Sequence, residues 1–260
     1  MTRSRLMPAR CTMVVAMTVV VSVVLLVLSS TVGAFPVPER LEFEIRYASI
    51  PAGAAVQEVT RSGHEVHIVS TVRSATWLKL LFPVDDRVES ILAPATPPQL
   101  FGPSRLYSER IREGWARRHR DARFDRQKHE VVSRDFLKKK ETLQQIPPQT
   151  HDLLSGFFHL RMIPLQVGES RFIEIFDCEK TWNTEVQVLR REEISTPLGR
   201  FRTIVIKPLL KTPGIFNRSG DMFIWLTDDD RRIPVQMKSK VRLGSVTAIL
   251  VGGSYWPEKR

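Results

Sequence analysis

The sequence has little cysteine. It contains two in 260 residues, and because Cys11 lies before the first apolar run, Cys178 is the single thiol after it. One cysteine cannot form an intrachain disulfide, so the stability of the folded protein has to come from its hydrophobic core. Cys178 lies in no recognised catalytic motif with a histidine, and we predict that it is a small buried side chain.

Acidic residues are absent from the first 34 positions. These positions carry three bases, Arg3, Arg5 and Arg10, ahead of an apolar run over residues 13–28. Basic residues followed by an apolar run are typical of an export signal. Cys11 precedes the run, whereas the acylated cysteine of a lipoprotein follows it, so lipid attachment is not predicted.

Two outcomes for this signal are open. Residues 1–34 are either a signal peptide cleaved before Phe35 or an uncleaved anchor, because the weakly polar stretch approaches the ~20 residues that span a bilayer. In the second case the protein associates with a membrane through residues 13–35. Both outcomes place residues 35–260, which we predict to be a single β-rich domain, in the periplasm or cell envelope.

Positive charge is concentrated in one part of the chain. The sequence has 39 Lys and Arg against 28 Asp and Glu, and residues 105–140 alone carry thirteen bases and six acids. A basic protein often binds nucleic acid, but we predict no nucleic-acid partner, because the polyanions that an exported protein meets are lipid headgroups and envelope glycans. The basic stretch predicts either a solvated strand face or a contact with anionic lipid or glycan.

Alternation of apolar and polar residues dominates the chain after residue 38. The pattern predicts short strands with one buried face, separated by turn-forming residues. Many short strands at this spacing indicate a mainly β (β-rich α+β) fold, a single curved antiparallel sheet in the form of a half-barrel or open barrel. We predict strands over residues 41–47, 64–72, 87–92, 105–111, 114–125, 171–176, 181–190, 201–208, 222–226, 233–240 and 241–251.

Two segments interrupt the alternation and predict one or two helices packed on or in the concave face of the sheet. Residues 74–82 predict a short helix or an apolar loop. Residues 150–161 predict a helix with Thr150 as its N-cap and the negative charge of Asp152 in its first turn. The apolar residues of the second segment fall on one helix face, so we expect that face to contact the sheet.

Four motifs carry a resemblance to a known family. They are Pro-Ala-Gly-Ala at 51–54, Asp-Leu-Leu-Ser at 152–155 with the apolar residues that follow it, Pro-Leu-Gly-Arg-Phe at 197–201, and Trp-Leu-Thr-Asp-Asp-Asp-Arg-Arg-Ile-Pro-Val at 225–235. They resemble the bacterial exported family catalogued as domain of unknown function 3108, over about residues 43–250. The resemblance implies an envelope-located, strand-rich domain with a curved sheet similar to the lipoprotein-carrier folds. It implies no catalytic residue, and the arginine-rich stretch departs from the family's pattern.

Recognised motifs for metal binding or catalysis are missing from the sequence. The acids at 228–230 lack the ligand spacing of a calcium loop, and we expect a polar turn in which they pair with Arg231 and Arg232. The six histidines form no zinc signature. Ser155 lacks the preceding glycine of a nucleophile elbow. We therefore predict no metal, no cofactor and no catalytic residue.

Two sets of residues predict a site for an amphipathic ligand. Apolar side chains line the concave side of the open barrel as a cavity for acyl chains, or else simply fill it as core. Arginines bind the anionic head of the same ligand, because the guanidinium group presents a bidentate fork to phosphate. The apolar set is Trp77, Leu81, Phe82, Phe157 and Phe158, and the basic set is Arg112, Arg118 and Arg120.

Together these features predict a non-enzymatic envelope protein that binds a lipid-like ligand or an envelope partner. One alternative is a hydrolase acting on envelope polymer or lipid, with His151, Asp152 or Asp229 in acid–base roles. A second alternative is a structural interaction module that uses its sheet edges. The sequence makes no prediction about oligomeric state.

Overall fold

A computed structural model gives the fold of the chain after the predicted export signal. Its contacts divide the chain into two units, Met1–Gly33 and Ala34–Arg260. The predicted signal peptide or anchor, residues 1–34, lies outside the described residues. No helix in the described part is long and apolar enough to cross a membrane. The structure describes residues 36–95, 99, 101–209, 222–241 and 244–256.

Fifteen strands of the described part form one sheet, and one helix, α1, packs inside its curve. The helix is α1 (Leu153–Met162). The strands are β1 (Glu39–Tyr47), β2 (Ile50–Ser62), β3 (Glu65–Ser74), β4 (Asp85–Leu92), β5 (Ser104–Glu113), β6 (Ala116–Asp125), β7 (Glu130–Asp135), β8 (Lys140–Gln145), β9 (His151–Asp152), β10 (Ser170–Phe176), β11 (Thr181–Thr196), β12 (Gly199–Pro208), β13 (Met222–Thr227), β14 (Pro234–Lys240) and β15 (Ser245–Gly253).

The sheet is one long curved sheet that does not close. Its strand order is β8-β7-β6-β5-β4-β3-β2-β1-β15-β14-β13-β12-β11-β10-β9, and neighbours are antiparallel except for β9 and β10. Side chains from the β8 half of the sheet contact the turn between β10 and β11: Gln144 Nε2 on β8 donates to the carbonyl oxygen of Glu179 at 2.7 Å, and Arg120 Nη1 on β6 donates to the Glu179 carboxylate at 2.9 Å. The prediction of a curved antiparallel sheet in the form of an open barrel, with a helix in its concave face, is confirmed.

The first turn lies earlier in the chain than the composition suggests. Pro51-Ala52-Gly53 contains the proline and glycine typical of a turn, but these residues lie within β2, and the turn is made by Ala48 and Ser49, which both have positive φ. Gly53 has a different role, because a Cβ on it would collide with the carbonyl oxygen of Arg73 on β3. The glycine thus permits a close approach of two strands.

Four strands of the structure, β2, β7, β8 and the two-residue β9, are not among the predicted ones. β8 is polar, and its one large apolar residue, Leu143, is exposed. This strand is held by backbone pairing with β7 from Glu130–Gln145 to Asp135–Lys140. Edge strands are commonly short and charged, so hydrophobic alternation does not reveal them.

The helix begins two residues later than predicted. Asp152, not Thr150, is the N-cap: its Oδ1 accepts hydrogen bonds from the backbone N–H groups of Leu154 (2.9 Å) and Ser155 (2.8 Å). The Ser155 hydroxyl accepts from the Asp152 N–H at 3.0 Å, which completes a capping box. Thr150 instead donates to the Pro147 carbonyl at 2.8 Å.

Candidate functional site

An apolar cavity of about 340 Å³ lies between α1 and the concave face of the sheet. We call it the concave cavity. One wall is α1, and the other walls come from β1–β3 and from β10–β15. Its described lining residues are Phe43, Ile45, Ala55, Val56, Gln57, Ser70, Val72, Leu153, Leu154, Gly156, Phe157, Leu160, Ile173, Ile175, Thr184, Val186, Pro208, Met222, Ile224, Met237 and Ala248.

Small residues create this space. Ala55 on β2 and Ala248 on β15 face the cavity where larger side chains would fill it. Gly156 lets α1 approach β10, since a Cβ there would lie 3.2 Å from Ile175 Cδ1. The helix packs against both β10 and β4, and the open space lies between α1 and the strands that separate β4 from β10 in the sheet.

Three of the described lining residues are polar, and none is charged. Gln57 and Ser70 lie opposite each other on β2 and β3, so that an amide and a hydroxyl group are adjacent. Thr184 lies on β11. The cavity thus offers apolar walls and a few neutral hydrogen-bonding groups.

The N-terminal end of α1 is fixed by buried hydrogen bonds. Asp152 is fully buried, and the Ser90 hydroxyl of β4 donates to its Oδ2 at 2.6 Å. The hydroxyls of Ser104 on β5 and Ser155 on α1 lie 2.7 Å apart. Burial raises the pKa of Asp152, while its hydrogen bonds act in the opposite direction. These contacts join α1 to β4 and β5, which lie in the other half of the sheet from β10.

The C-terminal end of α1 is fixed by a buried ion pair. Arg161 Nη1 and Nη2 each donate to a different carboxylate oxygen of Glu39 on β1 at 2.7 Å, and both side chains are almost fully buried. Arg161 also donates to the backbone carbonyls of Arg231 and Arg232 at 3.1 Å. Tyr255 donates to Glu39 at 2.7 Å, and its pKa is raised by burial and by this hydrogen bond. The helix is thus held at both ends, with its apolar middle against the cavity.

The structure brings the predicted apolar site residues to three different environments. Phe157 lines the concave cavity. Phe158 is fully buried in the core, edge-on to Phe101 with ring centroids 6.3 Å apart. Trp77, Leu81 and Phe82 lie in the exposed connection between β3 and β4, which is a series of turns and not a helix.

The predicted basic residues lie on β5 and β6, away from the cavity lining. Arg120 is buried and donates to Glu109 at 2.6 Å, besides its contact with Glu179. Arg118 lies 3.6 Å from Glu109, and Arg112 is exposed. Arg120 and Cys178 border a separate polar recess of about 320 Å³. The structure therefore does not place the arginine set at the rim of the concave cavity.

Most of the cavity residues were missed by the sequence reading. Phe43, Ile45, Ile224 and Met237 lie on strands that were predicted correctly, and the alternation indicates that some of these side chains share one face. The alternation does not indicate which part of that face is filled by α1 and which part stays open.

The groups proposed for acid–base roles are held in structural contacts. Asp229 accepts from the Thr227 hydroxyl at 2.6 Å and pairs with Arg231 at 2.8 Å, in the turn after β13. It lies at the Arg161 end of α1, whereas Asp152 lies at the other end, about 15 Å away along a ten-residue helix. Among the described residues, no group of His, Cys, Asp or Glu is arranged to hold a metal ion.

Cys178 is buried, as predicted. Its backbone has a φ of 69°, in the turn between β10 and β11. Burial raises the pKa of its thiol, with a smaller contribution from Glu109. The thiolate that a nucleophile requires is therefore disfavoured.

His151 stacks on His159 beside the cavity, with ring centroids 4.6 Å apart. Burial, with smaller effects from His159 and Arg126, lowers the pKa of His151 to about 3. Neutral His151 stabilises the fold fully above the unfolded pKa of about 6.5, and this contribution is lost as the pH falls toward 3. We expect the wild type to lose about 1–2 kcal/mol more of its free energy of unfolding than His151→Gln between pH 8 and pH 5, measured by urea titration.

The matched control for this prediction is His64→Gln, in the exposed turn between β2 and β3. That variant should lose as much stability as the wild type between the two pH values. Equal pH dependence in the wild type and in His151→Gln would contradict the prediction.

These features define a class of protein: a strand-rich unit whose open curved sheet holds one helix against an apolar cavity. Residues 42–251 match the family model described as "Protein of unknown function (DUF3108)", and the chain belongs to this family. The resemblance drawn from its motifs is confirmed.

The fold is similar to that of a solved structure. It is the crystal structure of a β-barrel-like protein of domain of unknown function DUF1849 from Brucella abortus, with a TM-score of 0.52 and 12% sequence identity over 84% of this chain and 97% of that chain. At this identity the likeness shows the fold alone. No curated protein matches the sequence.

Proposed function

We propose that this protein is a non-enzymatic cell-envelope protein that binds a lipid-like, amphipathic ligand, whose apolar part occupies the concave cavity. The proposal is based on the lining of the concave cavity, which is apolar apart from Gln57, Ser70 and Thr184. Ligand pockets are typically apolar with a few placed polar groups and have volumes of ~300–1,000 Å³. The volume of about 340 Å³ is at the small end of this range, so it suits one slender apolar chain.

The polar end of the ligand is expected to be neutral where it contacts the cavity. A charge without a partner is costly in an apolar site, and the described lining offers no charged side chain. Gln57 and Ser70 are placed to hydrogen-bond a hydroxyl, ester or protonated carboxyl group. A charged head group therefore stays outside the cavity.

The location in the envelope rests on the N-terminal sequence. Three arginines followed by the apolar run 13–28 favour export, with the signal either removed or kept as an anchor. An envelope location also suits a lipid-like ligand, because lipids are abundant there.

Hydrolysis is less well supported by the geometry. The Asp152 carboxylate caps the start of α1 and accepts a hydrogen bond from the Ser90 hydroxyl. The Asp229 carboxylate accepts a backbone hydrogen bond within the turn after β13. Both are accounted for by structural contacts. A measured turnover that His151→Ala or Asp152→Ala abolished without loss of stability would support the hydrolase instead.

Native mass spectrometry of the protein purified from an exporting bacterial host tests the proposal. We expect a fraction of the protein to carry an added mass that organic extraction releases as a lipid-like compound. Delipidated protein should then bind dansyl-labelled undecanoic acid with a rise in fluorescence. Protein that carries no extractable ligand and does not bind this probe would overturn the proposal.

A further inference from the structure

Large apolar side chains are exposed at one end of the sheet. Of the thirteen that are exposed in the described part of the chain, nine lie in or beside four neighbouring turns, β1–β2, β3–β4, β5–β6 and β7–β8. Because each strand runs antiparallel to the next, these four turns are all at the same end. We call this set the apolar tip: Tyr47, Ile50, Trp77, Leu80, Leu81, Phe82, Trp115, Phe136 and Leu137.

Direct contacts join three of the turns into one surface. Trp77 Nε1 donates to the carbonyl of Pro51 at 3.1 Å and so links the β3–β4 turn to the start of β2, directly after the β1–β2 turn. The Gly114 N–H donates to the carbonyl of Pro83 at 2.8 Å, which links the β3–β4 and β5–β6 turns. The ring of Phe82 lies against Gly114 and leaves no room for a side chain there.

The β7–β8 turn joins this surface through an aromatic contact. The ring of Phe136 stacks on His119 of β6, with centroids 4.4 Å apart. The most prominent members of the tip are almost fully in solvent: Trp115 is 98% exposed and Leu80 is 92% exposed. Contiguous exposed apolar surface on a soluble protein commonly marks an interaction site.

The four turns carry only positive charge between the strand ends, and the acids that flank them, Asp85, Glu113 and Asp135, are strand-end residues. Between the strands, the four turns contain three lysines and no Asp or Glu, and the lysines are Lys79, Lys138 and Lys139. All three side chains are exposed, and Lys138 lies 3.6 Å from Asp135 at the end of β7. At the other end of the sheet, the β13–β14 turn contains the three acids 228–230.

We infer that the apolar tip docks onto the surface of an anionic phospholipid bilayer. Trp and other amphipathic aromatic residues favour the headgroup level of a bilayer, and leucine and phenylalanine favour the acyl boundary. Lysines between them are attracted to anionic headgroups. A surface that combines exposed apolar residues with lysines and lacks acids between its strands matches this partner in both respects.

This inference goes beyond the proposed function and does not depend on it. The tip residues lie in the turns or at the strand ends beside them, and the concave cavity is lined by other residues on the strands and on α1. A variant can therefore lose bilayer binding at the tip and keep ligand binding in the concave cavity, or the reverse.

Vesicle co-sedimentation tests whether the apolar tip binds an anionic bilayer. Residues 34–260 suffice for the measurement, because they form one compact unit that contains the fifteen-stranded sheet, α1 and the four buried hydrophobic clusters of the described residues. We expect binding to vesicles of phosphatidylglycerol and phosphatidylcholine in equal parts, weaker binding to phosphatidylcholine alone, and a decrease of binding at high salt.

The decisive variant carries Leu80→Ser, Leu81→Ser and Trp115→Ser together. We expect its affinity for the mixed vesicles to fall at least tenfold. Replacement of Lys79 by serine is expected to lower the affinity about fivefold at low salt, because one lysine near an anionic surface contributes about that factor. The matched control is Phe172→Ser, on β10 and 64% exposed, which should bind as the wild type does.

Several outcomes would overturn the inference. The first is wild-type affinity in the triple variant, and the second is failure of the wild type to bind the mixed vesicles at low salt. A third is self-association of the wild type that the triple variant abolishes without any vesicle binding, since the tip would then be an interface between copies. Filling the cavity with Ala55→Phe should leave vesicle binding intact, and loss of binding in that variant alone would assign it to the cavity.

Discussion

Replacing Arg161 by alanine is expected to lower the free energy of unfolding by about 3–5 kcal/mol. The change leaves the buried Glu39 carboxylate without its bidentate partner and leaves two backbone carbonyls, those of Arg231 and Arg232, without a donor. Domains of this kind are commonly stable by 5–15 kcal/mol in total, so the loss is a large share of it. Urea unfolding of residues 34–260, followed by circular dichroism, measures the effect.

Arg40→Ala is the matched control, because Arg40 is the next residue to Glu39 and pairs with Glu42 and Glu58 at the surface. Exposed ion pairs contribute little, so the control should change stability by less than about 1 kcal/mol. Arg161→Lys should fall between the two, since lysine keeps the charge but cannot donate two parallel hydrogen bonds. Equal losses in the three variants would show that the buried pair does not anchor α1.

Ala55→Phe is expected to abolish binding of the dansyl-labelled acid, with a rise in its dissociation constant of at least tenfold. Ala55 faces the concave cavity from β2, and an aromatic ring there occupies the space of the ligand's apolar chain. Filling existing space costs less than overpacking a filled core, which typically costs ~1–3 kcal/mol. The variant should therefore stay folded, and fluorescence titration with a melting curve tests both points.

The neighbouring residue provides the control for this variant. Ala54 precedes Ala55 on β2 and points to the opposite, exposed face. Ala54→Phe adds the same side chain outside the cavity and should bind the probe as the wild type does. If Ala55→Phe also kept wild-type affinity, the ligand would not lie in the concave cavity.

The strands and the helix could largely be predicted from the sequence because their patterns are local. Alternation over residues 41–47 marked β1, and the apolar face of residues 150–161 marked α1. The helix start was misplaced by two residues because Thr150 and Asp152 are both good caps, and only the buried contacts of Asp152 with Ser90 and Ser104 distinguish them.

The candidate site could be predicted only in part. Phe157 lines the concave cavity, whereas Trp77, Leu81 and Phe82 look equally apolar in sequence and lie in an exposed connection. An apolar cluster has the same composition whether a sheet covers it or not. Burial depends on strand order and curvature, which residues far apart in the chain set together.

Local patterns in the sequence were sufficient to predict a member of this family with a strand-rich curved sheet and one helix. Those properties depend on residue patterns a few positions long. The tertiary structure brings Glu39 to Arg161, 122 residues away, and places small residues on β2 and β15 so that a cavity stays open beside α1. It also decided that the apolar tip lies in solvent. Each of these depends on the register and curvature of the whole sheet, which no local pattern specifies.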